Sequence, residues 1–376
     1  MHLAFLLFMA WIGTWASAPV YADDNQSFEN DTLRQVVHVS VGGTQVRVRF
    51  TNRFGAAPLV IGGASVAQQD EGANAKRGTQ RRLTFMGSRT VTIPPHADVL
   101  SDPVRLDVVP ASNLLVDTYL PDPTGPVTTH PLAEQTNYYA IGDRTGETAG
   151  APFAYSYAKW YLIDAIDVDA NARGSVVAFG DSITDGAGGI VGANDRWPDF
   201  LAQRLLALAP SQQLGVLNAG ISGNRILLTQ PAFGENALAR LDADVLSQSG
   251  VTGAIVYLGV NDIQQSPHQY DPERIELGLQ QIVERLHERG IRAIGATITP
   301  YKGWMTYDDR GEATRQAVNA FIRHGTLFDA VVDFDEILRD VRDPQRLSPA
   351  YDSGDHLHPN ATAHRAMAAA IDLRTL

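Results

Sequence analysis

Cysteine is missing from all 376 residues of the sequence. Its absence excludes a thiol nucleophile, structural disulfides and every metal or iron–sulfur site that is held by thiolates. Any covalent catalysis must therefore use a serine, threonine, lysine, histidine, tyrosine or carboxylate side chain.

Positive charge is also scarce. The chain has 30 Lys and Arg residues against 42 Asp and Glu residues, which gives a net charge of −12. Because contact with nucleic-acid phosphates requires clustered Lys and Arg, this balance argues against a nucleic-acid partner. Hydrophobic residues make up 44% of the chain, as in ordinary globular proteins. At this length we expect two domains.

The N-terminus has a long uncharged stretch, from Leu3 to Ala22. Its strongly apolar part ends at Ile12 and small residues follow, which is the pattern of a secretory signal peptide more than of a membrane span. We predict a signal peptide over residues 1–22, cleaved after Ala22 or else after Ala18, and a secreted or periplasmic protein without a stable membrane span. A retained membrane anchor, or a start that belongs to the folded domain, are the alternatives.

The first half of the chain lacks a long amphipathic helix and shows the two-residue alternation of β-strands. Val37–Val41 and Val46–Phe50 alternate around Gly42-Gly43, which predicts a β-hairpin. Further strands are predicted at Leu59–Ile61, Arg82–Phe85, Thr90–Ile93, Val104–Val109 and Leu114–Leu120. Short strands with frequent turns favour an all-β, sandwich-like domain, which we place at residues 23–170.

The second half alternates predicted strands with predicted helices. The strands are expected at Val176–Phe179, Val216–Asn218, Ala254–Leu258, Ile291–Ile298 and Ala330–Phe334. The helices are expected at Trp197–Leu208, Ile275–Arg289, Thr314–His324 and Ala361–Ile371. This alternation predicts an α/β domain over residues 171–376, doubly wound around a mostly parallel, flavodoxin-like sheet. The sites of such domains lie beyond the carboxyl ends of the strands.

Four short blocks in this second half contain the residue types that acyl transfer requires. They are Gly180-Asp181-Ser182, Asn218-Ala219-Gly220-Ile221-Ser222-Gly223-Asn224, Gly259-Val260-Asn261-Asp262 and Asp355-His356-Leu357-His358-Pro359-Asn360. Taken singly, each block fits an ordinary turn or helix cap. The first three each follow a predicted strand, however, and turns alone do not explain that order.

Together, in this order, the blocks resemble the GDSL family of serine hydrolases, also called SGNH hydrolases. The resemblance covers roughly residues 174–376, and one departure is Ile183, where the family name has leucine. It implies the SGNH hydrolase fold and a catalytic triad of Ser182, His358 and Asp355.

The same resemblance implies an oxyanion hole. Its donors would be the backbone N–H groups of Ser182 and Gly223 and the side-chain amide of Asn261. Glycine allows close approach of the backbone, and an amide donates a hydrogen bond without carrying a charge. Losing one donor of this kind typically lowers the rate by about 10²–10³.

The implied triad is chemically reasonable. A serine hydroxyl is a weak nucleophile until a base takes its proton, and histidine, with an ordinary pKa of about 6.5, suits that task at neutral pH. Asp355 would hold the imidazole tautomer and stabilise the imidazolium. The spacing of three between Asp355 and His358 predicts that one helical turn presents both side chains, whereas His356 points elsewhere.

The histidines and acids near the C-terminus also allow a second interpretation, a metal site. It would use His356, His358 and His364 with Asp352 and Asp355. His356 and His358 lack the four-residue helical spacing of metal ligands, and His358 is better explained as a base. We therefore expect no metal and no other cofactor.

Two features beside Ser182 are interpreted as structural. Asp181 and Asp185 are expected to make hydrogen bonds within their loop. The glycines of residues 186–192 have neither the dinucleotide-binding spacing nor that of a P-loop, so they predict a flexible loop near the site.

Upstream, the resemblance becomes narrower. Trp11–Pro19, Thr32–Gln35, Asn52–Gly55, Ser101–Pro103 and Arg196–Asp199 look like segments of a bacterial GDSL subfamily with an N-terminal β-domain. Its members are described as esterases, some of them similar to proteins encoded near xylan-degrading enzymes. If the folded domain opens at Trp11, it overlaps the predicted signal peptide, so the cleavage point stays open.

Aromatic residues follow the predicted strand at Ile291–Ile298. Trp304 and Tyr301 are predicted to bind substrate by stacking, and the alternative is that they pack against the β-domain. The expected function is a secreted serine esterase that removes short acyl groups from a small ester or a polysaccharide. A lysophospholipase or lipase, and a non-catalytic carbohydrate- or envelope-binding protein, are the alternatives. The oligomeric state does not follow from the sequence.

Overall fold

The structure is a computed structural model that describes residues 11–22 and 26–376. Residues 1–10, the first part of the predicted signal peptide, lie outside the described residues, as do residues 23–25. Among the helices of the described ranges, none is long and apolar enough to cross a membrane.

The N-terminal part of the chain is rich in strands. In chain order, strands β1–β15 are Trp11–Ala16, Asp31–Val39, Gly43–Thr51, Leu59–Ile61, Gly63–Gln68, Arg81–Leu83, Val91–Ile93, Asp98–Leu100, Val104–Val108, Ser112–Leu120, Thr129–His130, Asn137–Ile141, Tyr155–Tyr157, Trp160–Tyr161 and Ile163–Asp169. One antiparallel sheet has the order β1-β15-β3-β8, with β9 also paired to β3. A second antiparallel sheet has the order β13-β12-β2-β10-β5-β6.

The hairpin predicted around Gly42-Gly43 is wrong, although both of its strands exist. Strand β2 pairs with β10 and β12, whereas β3 pairs with β15, β8 and β9 in the other sheet. The chain therefore crosses between sheets at the glycine pair. A Cβ on Gly42 would lie 2.2 Å from the carbonyl oxygen of Val108, so only glycine fits this crossing.

The inner faces of these two sheets share one hydrophobic core. Leu33 and Val37 of β2 belong to the same buried cluster as Val46, Val48 and Phe50 of β3. The alternation that suggested a hairpin thus reflects two strands that face each other across a core.

Strand β1 lies where the sequence predicted a signal peptide. It pairs with β15, and its Ile12 and Trp15 pack in the core of the N-terminal part. Ala18 and Val20 pack in a different core, that of the C-terminal part. Cleavage after Ala22 would remove all of these contacts, and cleavage after Ala18 would remove those of Ile12, Trp15 and Ala18. The signal peptide and its cleavage point stay predictions.

The C-terminal part contains a parallel sheet. Its strands β16–β20 are Gly174–Gly180, Leu214–Gly220, Val251–Tyr257, Arg292–Ala296 and Ala330–Val332. They pair in parallel in the order β17-β16-β18-β19-β20, which is the order of a flavodoxin-like sheet. Helices α1–α8 are Ser182–Asp185, Trp197–Leu206, Ala237–Leu241, Val260–Gln264, Pro272–His287, Asp309–His324, Phe334–Leu338 and Ala361–Ala370.

Helices cover both faces of this sheet. On one face, α3, α5 and α6 pack with Val177 and Phe179 of β16. On the other face, α2, α7 and α8 pack with Val176 and Ala178 of the same strand. Because β16 is buried on both sides, its central segment Val176–Phe179 is uniformly apolar instead of alternating.

Several element boundaries differ from the prediction by a few residues, and side-chain caps explain two of these differences. Helix α6 begins at Asp309, five residues before Thr314, because the Asp308 side chain caps it through the N–H of Gly311. The strand predicted to reach Phe334 ends at Val332, since Asp333 caps helix α7 at that point. The division into domains at residue 170 stays a prediction.

Candidate active site

Ser182 lies directly beyond the carboxyl end of β16, as the first residue of α1. Asp181 caps this short helix by accepting a hydrogen bond from the N–H of Ile183. Burial is the main cause that raises the pKa of Asp181, to about 7. The acid thus has the structural role that the sequence predicted, and the hydroxyl of Ser182 is held at the edge of the sheet.

His358 is 176 residues away from Ser182 in the sequence, but the two side chains are in contact. Its Nε2 lies 2.9 Å from the Oγ of Ser182, and its Nδ1 lies 2.6 Å from Oδ2 of Asp355. Ser182 is 6% exposed. The three side chains that the sequence predicted to act together therefore form one continuous line of hydrogen bonds.

The segment that carries Asp355 and His358 is a loop, not the helical turn that their spacing predicted. Oδ1 of Asp355 accepts hydrogen bonds from the N–H groups of Leu357 and His358, and this turn brings the ring back onto the carboxylate. Partial burial would raise the pKa of Asp355, but its hydrogen bonds to the ring and backbone of His358 outweigh burial and lower it. His356 pairs with Asp352 instead, so it does point elsewhere.

Gly223 lies in the turn after β17, with a φ of +79°. A Cβ at this position would be 2.4 Å from the ring of Phe233. Both the left-handed backbone and the close ring require glycine. Within the described ranges, the N–H groups of Gly223 and Ser182 make no hydrogen bond to the protein.

Asn261 lies on α4, beyond the end of β18, and is 2% exposed. Its Nδ2 donates to the carbonyl oxygen of Asn224, the residue after Gly223, at 3.1 Å. Its Oδ1 accepts hydrogen bonds from Nε2 of Gln264 and Nε2 of Gln265, at 2.8 and 3.0 Å. Asn261 is thus tied to the turn that contains Gly223, and its amide has one N–H left over.

Trp304 and Tyr301, which the sequence predicted to bind substrate, have different surroundings. Tyr301 is fully buried in the core beneath the sheet edge, so its predicted contact with substrate is wrong. Trp304 is half-buried, and its ring meets the His358 ring edge-on at a centroid distance of 6.0 Å. Its Nε1 donates to Oε1 of Gln264. Both aromatics pack with the core of the C-terminal part, not with the strand-rich part.

Asp185 connects the site to the N-terminal part. Its Oδ2 accepts hydrogen bonds from the N–H and the hydroxyl of Ser222, which precedes Gly223. Its Oδ1 lies 2.9 Å from Nε2 of His130, which is on strand β11. Nδ1 of His130 lies 2.8 Å from the carbonyl oxygen of Ala18.

His130 therefore faces a hydrogen-bond acceptor with each of its ring nitrogens. Only the protonated imidazolium can donate to both of them. Burial would lower the pKa of His130, but the charge of Asp185 and the hydrogen bonds to Asp185 and Ala18 outweigh burial and raise it. The pair of His130 and Asp185 is consequently a buried ion pair that supports the Ser222-Gly223 turn.

Several residues that support the site were not predicted from the sequence. Arg240, which is fully buried, donates to the carbonyl oxygens of Gly180 and Ala219 and to Oδ1 of Asn224. Nothing local in the sequence marks Arg240 or His130. Gln264 could have been found, because it follows Asn261 by three residues and one helical turn brings them together.

The three histidines of the metal interpretation are used separately. His356 and His358 pair with different aspartates, and His364 accepts a hydrogen bond from the N–H of Trp197. Burial is the main cause that lowers the pKa of His364, to about 4. No group of three His, Asp or Glu residues in the described ranges is arranged to hold a metal ion.

Comparison with solved structures finds several hydrolases that cover about half of this chain. A GDSL-like lipase from Bacteroides thetaiotaomicron is 19% identical, covering 54% of this chain and 87% of its own, with a TM-score of 0.40. An acetylxylan esterase from Geobacillus stearothermophilus is 24% identical, with 52% and 91% covered and a TM-score of 0.40. A carbohydrate acetylesterase from Sinorhizobium meliloti is 17% identical, with 52% and 94% covered and a TM-score of 0.39. The curated proteins contain no significant match.

Comparison with protein-family models gives a match to the GDSL-like Lipase/Acylhydrolase family over residues 178–366, which is half of the chain. This range contains Ser182, Gly223, Asn261, Asp355 and His358. The chain belongs to the GDSL-like lipase/acylhydrolase family and is a carboxylic ester hydrolase.

Proposed function

We propose that the protein is a serine esterase in which Ser182 is the nucleophile, His358 the general base and Asp355 the residue that orients the base. The observation that carries this proposal is the line of hydrogen bonds from Ser182 Oγ through His358 to Asp355. Asp355 stays ionised over the working range, because its pKa is lowered. A carboxylate there favours the neutral tautomer of His358 that carries its proton on Nδ1.

In the first step, Oγ of Ser182 attacks the carbonyl carbon of the ester while Nε2 of His358 takes the hydroxyl proton. The tetrahedral intermediate collapses, His358 gives this proton to the leaving alcohol, and an acyl-serine remains. Water then attacks the acyl-serine with His358 again as base. The carboxylic acid leaves, and the proton returns to Ser182.

The negative charge on the tetrahedral oxygen requires donors that are already in place. We propose the N–H of Ser182, the N–H of Gly223 and the spare N–H of Asn261. Two observations support this assignment. The N–H groups of Ser182 and Gly223 have no partner among the described residues, and Asn261 is hydrogen-bonded to Asn224, the residue after Gly223.

For the substrate, we propose a short acyl ester, such as an acetyl group on a carbohydrate or a small alcohol. Phe233 lies against Gly223, and Trp304 lies beside His358, so large rings flank the reacting centre on two sides. We infer that these two rings limit the length of the acyl chain that fits. Secretion stays a prediction from the N-terminal sequence.

One observation favours a second candidate, a lipase-type acyl hydrolase. Ile190, Val191 and Met305 are exposed, and Met305 adjoins Trp304. The loop with Ile190 and Val191 begins beside His358, since a Cβ on Gly188 would be 4.0 Å from the Cβ of His358. Such apolar side chains would contact an acyl chain or a lipid surface.

The test is hydrolysis of p-nitrophenyl esters from acetate to decanoate by the wild type and Ser182→Ala. We expect Ser182→Ala to lower kcat on the order of 10⁶-fold, and Ser211→Ala, at an exposed serine, to leave it unchanged. A sulfonyl fluoride should add its mass to the wild type and not to Ser182→Ala. Equal rates for Ser182→Ala and the wild type would refute the serine mechanism, and a preference for decanoate would favour the lipase.

A further inference from the structure

The side-chain amide of Asn261 can point in two directions, and only one of them is useful to a developing oxyanion. With Nδ2 towards the reacting carbonyl, the amide donates a hydrogen bond. With Oδ1 there, it would repel the negative charge. The direction of an amide is set by the donors and acceptors around it, so those neighbours decide whether Asn261 can act.

One group that favours the useful direction is the indole of Trp304, which acts through Gln264. An indole N–H can only donate a hydrogen bond. Nε1 of Trp304 lies 3.0 Å from the side-chain amide of Gln264, so the oxygen of that amide must face the indole. The NH₂ group of Gln264 then faces Asn261 at 2.8 Å.

The same reasoning carries over to Asn261. Because Gln264 presents an N–H, the oxygen of Asn261 must face it. Nδ2 of Asn261 then donates one N–H to the carbonyl oxygen of Asn224, which can only accept, and its other N–H stays free. Trp304, Gln264, Asn261 and Asn224 thus form a chain of hydrogen bonds. The groups at its two ends, the indole N–H of Trp304 and the carbonyl oxygen of Asn224, each have a single hydrogen-bonding role.

Two further neighbours contact these side chains. Nε2 of Gln265 donates to Oδ1 of Asn261 and also to the carbonyl oxygen of Gly223, which can only accept, so Gln265 favours the same direction of Asn261. Thr306 lies 2.6 Å from Oε1 of Gln264, but a hydroxyl can donate or accept. Trp304 therefore supplies the unambiguous donor that orients Gln264, and Gln265 supports Asn261 from a second side.

We propose that Trp304 and Gln264 are positioning residues, which hold the amide of Asn261 with an N–H towards the oxyanion. This inference rests on the proposed role of Asn261 in the serine mechanism. It assigns Trp304 a function other than stacking on substrate: its ring lies beside His358, and its N–H controls the oxyanion side of the same centre.

The decisive experiment is a double-mutant cycle between Gln264→Glu and Asn261→Ala, with kcat and KM measured on p-nitrophenyl acetate. A carboxylate at position 264 offers only acceptors, so it repels Oδ1 of Asn261 and favours the turned amide against the contacts with Asn224 and Gln265. We expect Gln264→Glu alone to lower kcat by about 10²–10³ with KM little changed, as for loss of an oxyanion donor. In the Asn261→Ala background, the same change should lower kcat by less than about threefold, since the two residues act as a unit.

Trp304→Phe tests the indole separately, because phenylalanine keeps an aromatic ring and removes the N–H. Gln264 is then free to turn, and we expect kcat to fall about tenfold, the effect of one lost hydrogen bond, with KM unchanged. Thr306→Val is the matched control, since it removes the other contact to the same oxygen, and it should change kcat by less than about twofold. A rise in KM with unchanged kcat for Trp304→Phe would instead support a substrate-stacking role and overturn the proposal.

The cycle distinguishes this proposal from the serine mechanism itself. If Asn261→Ala leaves kcat unchanged, Asn261 is not an oxyanion donor and both ideas about it are wrong. If Asn261→Ala lowers kcat but Gln264→Glu costs the same factor in both backgrounds, only the positioning role is wrong. Melting temperatures of all variants show whether a loss comes from unfolding.

Discussion

The strand-rich part and the α/β part of the molecule differ in the groups to which their buried arginines are hydrogen-bonded. In the strand-rich part, Arg34 of β2 pairs with Asp117 of the neighbouring strand β10, and the pair joins two strands of one sheet. In the α/β part, Arg240 donates to the carbonyl oxygens of Gly180 and Ala219, at the ends of the strands that lead to the reacting edge. The first arginine stabilises a sheet, and the second stabilises the loops that carry the proposed reacting groups.

Ion pairs cross the boundary between these two parts. His130 of the strand-rich part forms an ion pair with Asp185, and Arg53 forms ion pairs with Glu235 and Asp244 of the α/β part. The proposed reacting groups all lie in one part, but the turn that contains Gly223 is supported from both. The comparison therefore predicts large kinetic effects from changes in the α/β part, and effects mainly on stability from changes in the strand-rich part.

The largest effect is expected for Asp355→Asn. The amide cannot favour the required tautomer of His358, so kcat should fall by about 10⁴, which corresponds to about 5.5 kcal/mol. Stability should change little, because the Asp355 side chain is 38% exposed. Asp352→Asn is the matched control, since Asp352 forms the same kind of pair with His356 in the same loop. Equal losses of kcat for the two variants would show that the loop, and not the pair with His358, matters.

A large effect on stability, and none on kcat, is expected for Arg34→Met. It leaves the buried carboxylate of Asp117 without its partner, so the free energy of unfolding should fall by about 3–5 kcal/mol. The kcat of the folded enzyme should not change, because the hydrogen bonds and the ring contact of Arg34 within the described ranges are all to residues of the strand-rich part. Urea unfolding and kcat under native conditions measure the two quantities.

The double variant Arg34→Met/Asp117→Leu is the control for this change. Because it removes both charges, most of the lost stability should return. A drop in kcat that persists in the double variant would mean that the strand-rich part acts on the reaction in ways beyond its stability.

The sequence was sufficient for the features that depend on local order. The apolar strand Val176–Phe179, the serine directly after it and the three later blocks lie where the pattern predicted them. The partner of a strand is not a local property. The alternation of residues 37–41 and 46–50 identifies an inner face, but it is the same whether the two strands pair in one sheet or face each other across a core.

Side-chain surroundings were equally hard to predict. Tyr301 and Trp304 are three residues apart and chemically alike, yet one is in the core and the other reaches Gln264. His130 contacts Asp185 over a separation of 55 residues, and no local pattern records such a contact. The small apolar residues before Val20 suit a signal peptide and a buried strand equally well, so composition could not separate the two.

A smaller effect is expected for His130→Asn, which removes the contact between the strand-rich part and Asp185 of the α/β part. Asp185 then loses its buried cationic partner, and the free energy of unfolding should fall by about 3 kcal/mol. Because Asp185 also holds Ser222, kcat should fall by about tenfold with KM unchanged, the effect of one weakened oxyanion contact. His38→Asn is the control, since His38 bonds to Asn113 within the strand-rich part. If both histidine variants lose stability but keep full kcat, the boundary contributes to folding alone.

The smallest effect is expected for the pH dependence of the contribution that His130 makes to the free energy of unfolding. The pKa of His130 is raised, since the charge of Asp185 and the hydrogen bonds to Asp185 and Ala18 outweigh burial and the nearby charge of Arg196. Its contribution is therefore fully present below the ordinary histidine pKa of about 6.5, and it is lost as the pH rises through the pKa of the folded state. The difference in unfolding free energy between the wild type and His130→Asn should be largest near pH 6 and should narrow towards pH 9. Urea unfolding at several pH values measures it, and a difference that stays constant or widens on the alkaline side would mean that His130 is neutral and that its two contacts are ordinary hydrogen bonds.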